Sequence, residues 1–423
     1  MFDAPYSHAA PSRQAGLERL AAFAPRMGAD YARRRNVDFG PRDRSNVSQL
    51  SGYLRMRLVL EREAVETALA GHGAERAESF IQEVFWRTYW KGWLERRPEV
   101  WRAYRAGVDA GGAAMASDAD AAARWRAAEA GETGLACFDA WARELVETGY
   151  LHNHARMWFA SLWIFTFRLP WELGADFFLR HLIDGDPASN TLGWRWVAGL
   201  QTRGKRYLAR ADNIAIFTDG RFRPDAAALA DDAPALSEPP LGPAGPTPAP
   251  TPWTFDGAVG LLLTEEDLAP ETLPGLDLDR LSASAAVSAV QDRSPRPIGA
   301  AASLWSIGAL EDGCTRLEAA GGPAPSRLNA KDDQAAAIRD WARRAALGRV
   351  VTPYAPQGPT REMLERARLL LAEDGVPLTY LLRDWDARAW DVADRGFFPF
   401  KKRIPELMRA AGLQRSRFAA ESC

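Results

Sequence analysis

The stretch Phe80–Trp90, FIQEVFWRTYW, decides how the first half of the chain is read. Glu83, Trp86, Arg87 and Trp90 fall at i, i+3, i+4 and i+7, so a helix places them on one face. A carboxylate, a guanidinium and two indoles are too polar for a core and too aromatic for a solvated surface. The face is either a Glu83–Arg87 surface pair with tryptophans packed behind it, or a pocket wall that stacks an aromatic ligand and offers it a carboxylate. Outward from it, apolar residues keep helical spacing over Glu61–Gly71, Arg76–Glu95, Leu135–Thr148 and His154–Phe167, and strand-like alternation is scarce up to about residue 222. Of the 16 tryptophans, 11 lie between Trp86 and Trp196, which asks whether some of them stack ligands or carry electrons rather than fill a core.

The pattern changes after Pro224. DDAPALSEPPLGPAGPTPAPTP, residues 231–252, predicts an extended, semi-rigid linker. Beyond it, Val259–Leu263, Ala285–Val290, Arg349–Pro353 and Pro377–Leu382 predict buried strands. Ser303–Ala319, Asp332–Ala346 and Thr360–Glu373 predict helices between them. Strands alternating with helices imply a parallel sheet and a Rossmann-like fold. No G-x-G-x-x-G follows a strand, so a dinucleotide site of that kind is not expected there. The expected organisation is multidomain, α then α/β: an all-helical unit over 1–223, a Pro/Ala-rich linker over 224–254 and a parallel α/β unit over 255–423.

With 53 basic and 55 acidic residues the net charge is −2, which supplies no global field for nucleic acid, though a local basic patch stays open. Cys137, Cys314 and Cys423 are far apart, so neither a cysteine cluster nor a bound metal is expected. The leading MFDAPYSHAAPSRQ lacks the apolar core of a signal peptide, and no apolar run reaches membrane-spanning length. A cytoplasmic, monomeric protein is the expectation.

Three further segments carry chemistry. In NVSQLSGYL, residues 46–54, Ser48 and Ser51 flank Leu50 ahead of a helical stretch; such hydroxyls either cap the helix or meet a phosphate. In TGYLHNHARM, residues 148–157, Asn153, Arg156 and Met157 share helical spacing. In LIDGDPASNTLGWRW, residues 182–196, Asp184 and Asp186 bracket a glycine ahead of Asn190, Trp194 and Trp196; the acids suit hydrogen bonds to a heterocycle, and further ligands for a metal are missing.

Taken in order, these segments resemble the FAD-binding domain of the DNA photolyase and cryptochrome family over roughly residues 30–200. The resemblance implies an all-helical domain holding a folded FAD. It assigns Ser48, Leu50 and Ser51 to the cofactor phosphates, with Val47 where the family has threonine. It assigns Gln82, Arg87 and Asn153 to further contacts, pairs Arg156 with Asp184, and puts Asp184 and Asp186 at the flavin and ribose. Asn190 would face the redox-active flavin nitrogen.

The same resemblance gives a substrate pocket. Glu83 would hydrogen-bond a pyrimidine photoproduct, Trp86 and Trp196 would stack on it, and Met157 would complete the wall, so ultraviolet-damaged DNA is the implied partner. Trp194 and Trp171 match the two inner tryptophans of the family's electron chain. No tryptophan stands at the outer place; Trp125 is nearest, and Trp163 or Trp158 offer another exit. After Trp196 the chain runs GKRYLARADNIAIFTDGRF in place of the family's R-I-F-N-P segment. Lys205, Arg206 and Arg210 there either meet phosphates or form a solvated loop.

The C-terminal strands resemble the α/β domain that usually precedes the helical one: VGLLLTEEDL its opening strand, GFFPFKKRIPEL its closing segment. The expectation is swapped domain order, with any antenna chromophore unassigned. The implied function is light-driven DNA repair by a photolyase-like lyase. The rival is a cryptochrome-like blue-light photoreceptor flavoprotein without repair.

Overall fold

A computed structural model describes residues 10–328 and 333–413. The first nine residues of the leading segment, Asp332 and Cys423 lie outside the described residues. Helices run from Arg13 to Phe217, and a five-stranded sheet with its own helices follows from Val259.

Local chemistry sets the helix ends that matter for the site. The helix Glu78–Glu95 carries the FIQEVFWRTYW face and stops short of Pro98, which opens the next helix. Asp186 caps the helix Pro187–Ala198: its carboxylate accepts the Ser189 N–H at 2.8 Å and Pro187 takes the first helical position. The helix Ala136–Thr148 ends at Gly149 in the left-handed region, φ 67°, and the chain turns to start the helix Asn153–Ser161. The sequence predicts one helix through Phe167. The structure instead widens into a π-turn over Leu162–Thr166 ahead of Pro170.

The strands β1 (Val259–Leu263), β2 (Ala283–Ala286), β3 (Pro325–Arg327), β4 (Arg349–Pro353) and β5 (Leu378–Leu381) are parallel, in the order β3-β2-β1-β4-β5. β2 lies earlier than its predicted span. Val287 follows Leu263 for one more bond, after which Glu265 takes the Ala289 N–H and the chain curls into a 3₁₀ turn. β3 has three residues, too few for alternation to show. Successive residues of β1 point to opposite faces: Leu262 meets Ile338, Trp341 and Met363 from the two helices after β3 and β4, whereas Leu261 and Leu263 join Trp305, Cys314 and the helical half.

That second core is continuous between the halves. Gly92 makes the approach close, since a Cβ there would lie 2.5 Å from the Trp390 ring. Trp101 donates its indole N–H to Glu362 at 2.7 Å across the same seam. The Pro/Ala-rich stretch is extended but not free. Leu236 donates to the Ala198 carbonyl, Gly245 to that of Arg96, and Glu238 accepts Arg195 at 2.7 Å. Among the described residues no helix is long and apolar enough to cross a membrane.

Candidate cofactor and substrate site

Two helices, Glu78–Glu95 and Asn153–Ser161, meet the segment Val47–Ser51 at one cavity, and the helix Pro187–Ala198 packs against both of them. Of the expected residues, Ser48, Leu50, Ser51, Glu83 and Asn153 line one cavity of about 120 Å³, together with Tyr31, Arg35, Gln49 and Tyr150. Gln49 sits in the left-handed region, φ 55°, and Leu50 after it is right-handed, φ −88° and ψ −4°. Successive N–H groups in that alternation turn toward one concavity, the backbone pattern that receives anions. Gln49 carries no side-chain signal for this role, so the sequence could not single it out.

Below the cavity the acid turn is held by cations. Arg156 donates to Asp184 at 3.0 Å and to the Leu151 carbonyl at 2.8 Å. Against the desolvation of burial, Arg156 keeps the Asp184 carboxyl below its ordinary range. Arg87 donates to Asp186 at 3.3 Å and to the Ser51 carbonyl at 3.2 Å. Lys91 lies 3.7 Å and Arg55 3.8 Å from the same Asp186 oxygen, and together the three cations hold that carboxyl far below its ordinary value despite burial. Arg87 therefore pairs with Asp186, not with Glu83 as a surface reading would have it.

Glu83 is taken by Arg35, from the chain just after the helix Ala29–Arg34. Burial raises the Glu83 carboxyl, and Arg35 works against the rise. Arg35 escaped the sequence reading because it lies in an Arg-rich run, R-R-R, that looks like solvated surface. Trp86 also departs from expectation. Its ring stacks on Phe397 at 3.4 Å and 11°, and meets Trp90 at 5.1 Å. The Phe397–Lys401 turn of the C-terminal half supplies that partner. Met157 and Trp196 are half-buried and Trp196 tilts against Tyr207 at 5.7 Å; neither lines the cavity, and Gln82 does not either.

Asn190 is buried and donates its amide to the Ala175 carbonyl at 2.7 Å, which fixes its orientation. Trp194 meets Trp163 edge-on at 6.2 Å, along with Phe159 and Phe178. Trp171 instead meets Tyr104 at 5.9 Å, and Tyr104 meets Trp101 at 5.2 Å. The two indoles expected in one chain thus belong to separate ring clusters. Trp125 lies beneath the Arg296 guanidinium. In the altered loop Arg206 pairs with Asp232 and Arg210 with Asp212, which leaves Lys205 as its exposed basic group without an acid partner among the described residues.

The donor set matches a dinucleotide carrying phosphates and a polar heterocycle. The Ser51 hydroxyl and the Asp184 carboxylate are buried against each other, and Ser51 adds to Arg156 in holding that carboxyl below its ordinary range. The enclosed space is smaller than the roughly 300–1,000 Å³ of ordinary ligand pockets, with the Arg35–Glu83 pair set across it.

Residues 80–223 match the family model described as the FAD binding domain of DNA photolyase. Through this helical part the chain is similar to DNA photolyases. It is 36% identical over 180 residues to a deoxyribodipyrimidine photo-lyase of Streptomyces griseus, covering 40% of this chain and 38% of that protein. To one of Neurospora crassa it is 32% identical over 213 residues, 49% of this chain and 34% of the relative. The chain spans about two fifths of the length of the curated relatives it matches. Two solved structures align over half of it: a Synechocystis cryptochrome at 25% identity (49% of this chain, 43% of that one, TM-score 0.40) and an Agrobacterium tumefaciens class III photolyase at 26% (50% and 46%, TM-score 0.41).

Proposed function

We propose that this chain binds FAD at the cavity and the acid turn, and that it repairs pyrimidine photoproducts in DNA with light. The observation that carries the reading is convergence. Ser48, Ser51, Glu83 and Asn153, drawn from three separated motifs, line one cavity, and Ser51 links it to the Asp184 carboxylate of the acid turn. In this reading the Val47–Ser51 backbone and Ser48 receive the phosphates, Arg87 and Arg156 hold the acids in place, and the buried Asn190 amide is presented at a fixed angle. Bound and reduced, FAD supplies the photoexcitable electron; the protein contributes position and exclusion of water. Glu83 hydrogen-bonds the flipped-out damaged base, and Arg35 must release it first. A damaged base costs less to unstack than an intact one. The C-terminal sheet, in this reading, is the family's α/β domain in swapped order.

A second reading, a photoreceptor flavoprotein without repair, draws on two contacts: Phe397 covers the Trp86 face, and Arg35 occupies Glu83. The deciding experiment reconstitutes the chain with FAD, reduces it, and illuminates it with ultraviolet-damaged oligonucleotide. Loss of the photoproduct supports repair; intact photoproduct with bound flavin overturns it in favour of signalling. Glu83→Ala is expected to slow repair with FAD retained, and release of FAD instead would refute the role given to Glu83.

A further inference from the structure

The acid turn has a back as well as a front. Its front meets the cavity-lining Ser51 through Asp184. Its back is covered by segments that lie 80 to 180 residues further along the chain. Arg55 is the link: its Nε donates to the Gly185 carbonyl at 3.3 Å and lies 3.8 Å from Asp186, and its two terminal nitrogens fork onto Glu266, each at 2.7 Å. Glu266 belongs to the loop directly after β1 and also accepts the Thr360 hydroxyl at 3.1 Å. Arg55, Asp186 and Glu266 are each no more than 4% exposed. On the other side of the turn Arg293 donates to the Leu182 carbonyl at 3.4 Å, and a Cβ on Gly185 would lie 3.0 Å from the same nitrogen. The turn is therefore clasped from behind by the α/β half.

We propose that Glu266 is a positioning residue of the cofactor site: acting through Arg55, it sets the Asp184–Gly185–Asp186 turn, so that the site is completed by the C-terminal α/β half. A bidentate carboxylate fixes both the direction and the roll of a guanidinium. Held by Glu266, Arg55 reaches the Gly185 carbonyl while stopping short of a hydrogen bond to Asp186. Without that anchor, a buried guanidinium with nearly full charge turns to the nearest anion, Asp186. It then competes with Arg87 and Lys91 and pulls the turn away from the cavity. The inference rests on the FAD reading above, and goes further by assigning part of that site to the other half of the chain.

The test uses the full chain. FAD affinity is measured by quenching of flavin fluorescence and the flavin reduction potential by spectroelectrochemistry, with the melting temperature of the ligand-free protein recorded separately. Glu266→Gln keeps the shape and removes the charge. The expected result is a tenfold or greater loss of FAD affinity in protein that is folded at the assay temperature, with a shifted flavin potential. Glu266→Asp, which keeps the charge, is expected to recover part of both. A purely structural role would lower the melting temperature and leave affinity and potential of the folded protein unchanged, and that result overturns the proposal. Should Glu266→Gln fail to fold, Arg55→Lys decides: it keeps the positive charge but loses the fork, and wild-type FAD affinity in that variant overturns the proposal equally. A wild-type chain that takes up no FAD refutes the function itself, a failure distinct from a wild type that binds beside variants that bind as well.

Discussion

Asp186→Asn tests how the acid turn is held. The side chain is 2% exposed and faces Arg87 at 3.3 Å, Lys91 at 3.7 Å and Arg55 at 3.8 Å. Asparagine matches its shape and still caps the helix at Pro187, so neither a cavity nor a lost cap contributes much. What disappears is the anion shared by the buried Arg55 and Lys91 and the partly buried Arg87. Arg55 keeps Glu266 and Arg87 keeps the Ser51 carbonyl, but Lys91, whose amine burial already pushes below its ordinary pKa, loses the anion that offsets this. Removing one member of a buried ion network costs about 3–5 kcal/mol. For a chain of this size that is a fall of roughly 3–6 °C in melting temperature. The sign with pH follows from the depressed carboxyl. Its contribution is fully present above the unfolded pKa of 3.8 and fades as pH falls through the lower folded value. Thermal melts of ligand-free wild type and variant, followed by circular dichroism, are therefore expected to differ most at pH 6–8 and to converge in acid. A loss below about 1 kcal/mol at pH 7 would refute the account of the turn as an ion-held element.

Other perturbations probe separate contacts. Phe397→Ala removes a buried ring stacked on Trp86 and is expected to cost about 3 kcal/mol in urea unfolding. If Trp86 serves damaged DNA, the variant also binds ultraviolet-damaged oligonucleotide several-fold more tightly, and unchanged affinity removes Trp86 from that role. Gly174→Ala would put a methyl 2.3 Å from the Trp194 ring and 2.9 Å from that of Trp163. The expected cost is about 1–3 kcal/mol, with altered near-ultraviolet circular dichroism and slower light-driven flavin reduction; an unchanged reduction rate takes Trp194 out of the electron path. His181 is held neutral by burial and by Arg180, with its pKa down at about 4 from 6.5. The unfolded chain binds that proton first, so stability drops as pH falls from about 6.5 to 4, by about 3 kcal/mol. His181→Gln should flatten that limb, and an identical pH profile would refute the assignment.

The parts of this molecule legible in sequence are those whose signal is local. Period 3.6 marks the helix carrying Glu83, Trp86 and Arg87, and the D-P pair at 186–187 writes a helix start directly. β1 and β4 emerge with the bounds the sequence predicts because both are short runs whose middle residues are apolar and buried. The losses occur where a side chain's partner is distant. Nothing near Trp86 announces Phe397, and nothing near Glu83 announces Arg35. A subtler signal existed for the acid turn. Arg55 and Arg57 interrupt the buried run YLRMRLVL, and Glu265, Glu266 and Asp267 follow the buried strand VGLLL.

Charges inside apolar segments are stable only when paired, so two such segments of opposite sign in one chain imply each other. The structure joins them: Arg55 to Glu266, and Arg57 to Asp267 at 3.2 Å. Asp267 also holds Arg383 at 2.8 Å, which ties in the end of β5. This pairing explains how an α/β half placed last in the chain is seated against the helices without help from chain order. A linker that runs past Ala198 and Arg96 limits where the second half begins; the buried charges specify where it docks, because any shifted register would strand several of them unpaired. Among these charges Arg55 also reaches Gly185 and Asp186, so one of the ion pairs that dock the two halves touches the acid turn as well.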